Sequence, residues 1–155
     1  MRVADRWPSK ARPRKVRVTH WLDRWLVNPV VRTAAAAGLA PRAIALLETT
    51  GSRTGKRRVV PVLNGTVGDD FWVFAQDGWW CAYVRNAAAE PRVRVKVRGT
   101  GWRDGTAAIA EEAGAPPDRK SIGRQLGLVG AIEGKIFRSV STQVVPMRIR
   151  FDSDA

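Results

Sequence analysis

Arg92-Val93-Arg94-Val95-Lys96-Val97-Arg98 alternates cation and valine without a break. Successive side chains of a β-strand point to opposite faces, so this run puts three valines on one face and four cations on the other. A strand with one packed and one solvated face belongs to an antiparallel sheet. The run turns at Gly99-Thr100-Gly101 and returns as Trp102–Ala110. Upstream, Ile44–Glu48 reads as a short apolar strand. Arg58–Asn64 alternates toward a turn at Gly68-Asp69-Asp70, and Phe71–Ala75 follows, which reads as a hairpin. Val144–Phe151 is the last predicted strand, and Pro146 marks it as an edge or a bulge. The segment after Gly78 opens a predicted helix ending near Pro91, and a second is predicted from Asp118 to about Leu128, after the break Gly114-Ala115-Pro116-Pro117. About six strands with peripheral helices predict an α+β domain on an antiparallel sheet or barrel.

A chain of 155 residues fits one domain of ordinary size. Apolar residues make up 45% and charged residues 26%, a globular composition. No run of 18 apolar residues is present, which excludes a spanning helix. The first thirty residues lack the apolar core and cleavage pattern of a secretory signal, so the cytoplasm is the expected compartment. Cys81 is the only cysteine and His20 the only histidine. An internal disulfide, a zinc knuckle, a His-based metal cage and a histidine-dependent hydrolytic triad are therefore excluded, and no metal is expected.

The formal charge of +13 is concentrated at one end. Residues 1–60 carry 14 Lys/Arg against the three acids Asp5, Asp23 and Glu48, whereas residues 61–155 carry 13 against 11. Such a field attracts nucleic acid, an anionic membrane surface or a phosphorylated cofactor. Residues 1–17, with seven Lys/Arg and two prolines, read as a disordered basic arm ahead of a single domain over 18–155. Trp21, Leu22, Trp25 and Leu26 then recur at helical spacing, and Val30, Val31 and the Ala34–Ala37 run form a second helical piece ended by Gly38 and Pro41. The first helix packs its tryptophans on the core, or lies at a peripheral membrane face with Trp21 and Trp25 at headgroup level and the basic arm on anionic lipid.

Two segments carry chemistry. Thr49-Thr50-Gly51-Ser52-Arg53-Thr54-Gly55-Lys56-Arg57-Arg58 joins two predicted strands. Its glycines let main-chain N–H groups approach a ligand, its hydroxyls add donors, and four cations follow within six residues. Such a loop forms an anion-binding nest backed by arginine, or else an exposed turn with solvated cations. It is not a Walker loop, because the Lys-Ser/Thr spacing is wrong. In the second segment, Asp77-Gly78-Trp79-Trp80-Cys81-Ala82-Tyr83-Val84-Arg85-Asn86, the residues Trp79, Trp80 and Tyr83 form an aromatic wall for a flat ring, or face the core from a helix. Cys81 has no histidine nearby to activate it as a nucleophile.

The ordered set of short motifs resembles the deazaflavin-dependent nitroreductase family of actinobacterial oxidoreductases. It comprises Asn28-Pro29-Val30-Val31-Arg32, Gly38-Leu39-Ala40-Pro41-Arg42, Ala45 to Gly55, Arg58-Val59-Val60-Pro61-Val62, Tyr83-Val84-Arg85-Asn86, Pro91 to Val95 and Trp102 to Ala107. The resemblance implies a split β-barrel of the FMN-binding type that holds coenzyme F420, a deazaflavin with a phosphodiester and an oligoglutamate tail. It implies hydride transfer from the reduced cofactor to an electron-poor small molecule: a quinone, nitroaromatic or activated alkene. By the family pattern Ser52, Arg53, Thr54, Gly55 and Arg58 hold the phosphate, and Pro61 and Val62 lie beside the cofactor. Ala75, Gln76 and Asp77 run along the ring, and Asn86 stands near its edge. On the residue reading, Tyr83 or water donates a proton, with Ser52 the lesser candidate, and Trp79 and Trp80 face the acceptor. The chain departs from better-known members at Asp77, acidic where they are basic, and in the Gly-rich apolar stretch Gly127–Phe137, read as a lid or an open pocket. Barrels of this type often pair as homodimers. The competing readings are a barrel that binds FMN, haem, another tetrapyrrole or a fatty acid, and a basic nucleic-acid binder, which no recognised motif supports.

Overall fold

The strand that opens the sequence reading lies inside the sheet. In a computed structural model, which describes residues 42–75, 77–118 and 144–153 together with Pro29, Thr33, Ala34, Ala37 and Leu39, β5 spans Arg92–Val97. Val93 and Val95 are buried on its inner face, as alternation requires. The other strands are β1 (Ile44–Thr50), β2 (Arg57–Leu63), β3 (Thr66–Val67), β4 (Asp70–Ala75), β6 (Trp102–Ile109) and β7 (Val145–Phe151). They form one antiparallel sheet in the order β2-β1-β5-β6-β7-β4-β3. A 3₁₀ turn at Gly78–Trp80 and the helix α1 (Ala82–Ala89) follow β4, and a second 3₁₀ turn, Ala110–Ala113, follows β6.

This order forces the sheet to curl. β2 and β3 occupy its two ends, yet only Asn64 and Gly65 separate them in the chain. The two residues close the barrel through Asn64 N–H on Ala43 O at 2.8 Å and Trp72 N–H on Gly65 O at 2.9 Å. Asn64 also donates through Nδ2 to Arg42 O and accepts from Thr66 N–H and Oγ1. A Cβ on Gly65 would stand 1.8 Å from Trp72 O, so no larger residue fits the seam as it is built. The inner face gathers Leu47, Phe71, Val84, Val95, Met147 and Ile149 into one core with no side chain left in water. Truncating such a residue to alanine costs about 2–5 kcal/mol.

Four sequence expectations are corrected. β2 and β4 are not a hairpin: the hairpin is β3–β4, with Thr66↔Phe71 and Val67↔Asp70, and β2 pairs with β1. β7 is not an edge, because it pairs with both β4 and β6. Pro146 is tolerated there because the β6 ladder ends at Ile109↔Met147, so no β6 residue stands opposite it. The helix expected from Gly78 starts later, after a 3₁₀ turn and an extended Cys81 (φ −67°, ψ 126°). β1 also runs two residues further than expected, taking Thr49 and Thr50 from the loop. Thr33 and Ala34 are helical, within the second predicted helical piece, and Pro29 just ahead of it is helical as well. The basic arm, the Trp21–Trp25 helix, the helix body beyond Asp118, the Gly127–Phe137 stretch and Gln76 lie outside the described residues.

Candidate functional site

The β1–β2 connection is a self-bonded loop. Gly51 N–H donates to Lys56 O at 2.8 Å, and Gly51 O accepts from Thr54 N–H at 3.2 Å and Gly55 N–H at 2.8 Å. Lys56 N–H donates to Thr54 Oγ1 at 3.3 Å. Gly55 sits at φ +64°, the left-handed region that glycine occupies without strain. One amide is claimed from outside: Ser52 N–H donates to Asn86 Oδ1 at 3.0 Å. Among the described residues, Arg53 N–H is then the loop amide left without a partner. The expected nest of converging N–H groups is therefore not formed, since an amide spent inside the loop offers nothing to an anion.

The loop's cations are another matter. Arg57 is committed to Glu48 at 2.9 Å. Arg53, Lys56 and Arg58 are exposed and have no carboxylate partner among the described residues. Lys56 was missing from the sequence-derived set, though it lies in the cation run that singled out this loop. On β5 the pattern is reversed. Arg92 makes a two-pronged pair with Asp152 at 3.0 and 2.7 Å, which raises its own value and holds the Asp152 carboxyl below the usual carboxylate range. Arg94 sits between Glu48 at 3.4 Å and Asp104 at 3.6 Å, with its guanidinium 5.3 Å from the Trp102 ring centre. Two of the three cations of β5, Arg92 and Arg94 but not Lys96, are thus neutralised in place, which weakens it as a nucleic-acid track.

Asn86 joins α1 to the loop. It is buried, and its Nδ2 donates to Thr49 Oγ1 at 3.1 Å while its Oδ1 holds Ser52 N–H. The preceding residue, Arg85, donates through Nη1 to Trp79 O at 2.9 Å and Trp80 O at 2.8 Å, fastening the 3₁₀ turn. That turn brings Asp77, Cys81 and Tyr83 together. Burial pushes the Tyr83 phenol well above its ordinary value, and the adjoining Cys81 and Asp77 push the same way. Burial also raises the Cys81 thiol, opposed by a hydrogen bond from Tyr83. A phenol held neutral in this way donates a hydrogen bond but is a weak proton source at neutral pH.

The remaining sequence-derived residues are spread. Trp79 is in the core, where it lines a shallow depression with Ala87, Ala88, Pro91, Ala107 and Ile109, and Trp80 is half-buried. Val62 and Ala75 belong to the core, so only their backbone is free to meet a ligand. Pro61, half-buried, stands opposite Leu46 on the terminal strand β2. The structure thus ties Ser52 and its loop to Asn86, and places Trp79 on another flank of α1. Among the described residues no cluster of His, Cys, Asp and Glu is suited to hold a metal. Nor is any helix among them long and apolar enough to cross a membrane.

Comparison with known proteins settles the family. The model of the F420H(2)-dependent quinone reductase family matches residues 16–124. The chain belongs to this family. It is accordingly a deazaflavin-dependent reductase whose cofactor is coenzyme F420. Among solved structures, an F420-H2 dependent reductase (FDR-A) is 21% identical with a TM-score of 0.50, over 72% of this chain and 95% of that one. A protein described as a domain-swapped dimer is 18% identical with a TM-score of 0.50, over 85% and 98%. A protein of unknown function from Agrobacterium tumefaciens is 18% identical with a TM-score of 0.50, over 94% and 59%. At such identities these structures bear on the fold alone, and the curled antiparallel sheet is the α+β split barrel expected from the sequence. No curated protein matches the chain significantly.

Proposed function

We propose that this reductase holds coenzyme F420 by its anionic appendage at the β1–β2 loop and reduces an electron-poor acceptor: a quinone first, with nitroaromatics and activated alkenes as further substrates. The observation that carries this reading is the contrast in charge pairing. Arg53, Lys56 and Arg58 stand exposed and unpaired among the described residues, while Arg57, Arg92 and Arg94 nearby are matched to carboxylates. A phosphodiester with a run of carboxylates fits three free cations at one end of the β1–β2 hairpin, two on the loop and Arg58 at the start of β2, because charge-assisted hydrogen bonds are the strong ones. The Arg53 N–H and the hydroxyl of Ser52 add donors beside them.

When bound, the reduced deazaflavin supplies the hydride. The chain's own residues bind and orient it. Pro61, the backbone of Val62 and Ala75, Gln76 and Asp77 flank the ring, and half-buried Trp80 offers the acceptor an aromatic face. Trp79, being core, backs this wall and does not touch the acceptor. Water delivers the proton, with Tyr83 as a neutral hydrogen-bond donor. A membrane-dissolved quinone would give Trp21, Trp25 and the basic arm a role at the inner membrane face of a cytoplasmic protein. The relative described as a domain-swapped dimer makes a homodimer the assembly to test first.

Fluorescence titration with oxidised coenzyme F420 tests the reading. Arg53→Ala with Arg58→Ala weakens binding about 10- to 100-fold, the size of one to two charged hydrogen bonds. Unchanged affinity in the double variant refutes it, and binding of FMN in place of F420 moves the protein to a flavin-binding barrel. Loss of the reduced cofactor's absorbance across quinones, nitroaromatics and enones then ranks the acceptors.

A further inference from the structure

We infer that Asn86 is a positioning residue that sets the shape of the β1–β2 loop from beneath, acting through Ser52 and not by touching the cofactor. The inference rests on the reading of this loop as the cradle of the cofactor's anionic appendage. Four of the loop's hydrogen bonds are internal, closing between Gly51 and Lys56. Internal bonds fix a loop's own curvature but not its orientation on the barrel. The described contact that supplies orientation is the Asn86 carboxamide, which accepts Ser52 N–H at 3.0 Å and donates to Thr49 Oγ1 at 3.1 Å.

Both partners of this clip are placed to make it stiff. Thr49 is 2% exposed and lies in the β1 ladder opposite Arg58, so one end is anchored in the sheet. Asn86 is 7% exposed on α1, so solvent does not compete for its amide. Since Arg58 pairs with Thr49 in the β1–β2 ladder, one pair from its loop end, and Arg53 follows Ser52 directly, the clip brackets the two arginines assigned to the anion. Arg85, the preceding residue of the same helix, fastens the 3₁₀ turn that presents Asp77 and Trp80. Adjacent residues of α1 therefore register both ends of the site, the loop for the appendage and the turn beside the ring. Holding the loop in its bound shape lowers the ordering cost of binding.

The experiment combines amide exchange by NMR on the protein without cofactor, a thermal midpoint, and titration with oxidised coenzyme F420, for wild type, Asn86→Ala, Asn86→Asp and Thr49→Val. In Asn86→Ala the exchange of Ser52 N–H and its loop neighbours rises about tenfold and F420 binds about tenfold more weakly, one hydrogen bond's worth. Asn86→Asp keeps an oxygen for Ser52 N–H and keeps its exchange near wild type. Thr49→Val removes only the buried anchor, and it too speeds loop exchange and weakens F420. If Asn86→Ala does not fold, Thr49→Val carries the same readouts. Weaker binding in Asn86→Ala with unchanged loop exchange, or faster exchange with wild-type affinity, overturns the inference. So does wild-type affinity in Thr49→Val. If the wild type itself ignores F420, the cofactor reading has failed instead, and unchanged loop exchange in Asn86→Ala still sinks the clip.

Discussion

Gly65→Ala tests how the barrel closes. The added Cβ would lie 1.8 Å from Trp72 O, 2.8 Å from its carbonyl carbon and 3.2 Å from its Cα. Ordinary carbon–oxygen contact is near 3.2–3.4 Å, so the seam must open by roughly 1.5 Å. The Trp72 N–H bond to Gly65 O, 2.9 Å long, does not survive that shift. Losing it costs about 1 kcal/mol, and forcing a methyl against backbone adds about 1–3 kcal/mol. The sum of about 2–4 kcal/mol lowers the melting temperature of a chain this size by about 5–15 °C. The conformation of Gly65 is not the reason, since its φ is not among the positive ones. Gly101→Ala is the control: a Cβ there meets nothing within 4 Å. Thermal unfolding followed by circular dichroism reads both. A Gly65→Ala midpoint within about 2 °C of Gly101→Ala would mean that the two ends of the sheet do not meet through Asn64 and Gly65 as described.

Tyr83 is the only tyrosine, so phenolate absorbance reports on it alone. Its native value is raised, so the stability it contributes is full below the ordinary 10.0 and drains away as the pH climbs from there toward the native value; a phenolate titrating at 10.0 in folded protein contradicts that rise. Cys81, buried with a raised thiol, should ignore an aromatic disulfide reagent in native protein at mildly alkaline pH and react at once in denaturing guanidinium. Glu48→Gln leaves Arg57 and Arg94 without their shared carboxylate and should cost about 1 kcal/mol at low salt, with the gap narrowing in concentrated salt; an equal cost at both ionic strengths would show that the pairs are not electrostatic.

The sheet was largely legible because its strands carry a local signal. The valine–cation alternation of β5 and the turns around it need no distant information. Pairing was less legible where a short strand hides a partner. β2 and β4 look like a hairpin because the two-residue β3 carries no pattern of its own; β3 takes the place beside β4, and β2 pairs back with its neighbour β1. Pro146 reads as an edge because the early ending of β6 at Ile109 is invisible from Val144–Phe151. In the site, the cation run pointed to the loop, but Thr49 looked like a loop hydroxyl. It is a buried strand residue because its partner, Asn86, lies 37 positions away. The spending of the loop's amides on itself was equally hidden, since it follows from Gly55 at φ +64° and from that same distant side chain. The adjacent tryptophans Trp79 and Trp80 separate into core and half-exposed because a 3₁₀ turn, not a regular helix, carries them.

β7 lies between β6 and β4, so Val145–Phe151 carries the ladder from the β2-β1-β5-β6 half to β4 and β3, whose other end meets that half at the Asn64–Gly65 seam. During synthesis both flanks of this gap are made before the strand that fills it. A nascent chain stalled short of Val145 presents two open flanks, those of β6 and β4, to the chaperones and proteases around the ribosome. Quality control of this protein should hinge on how quickly β7 fills the gap between them.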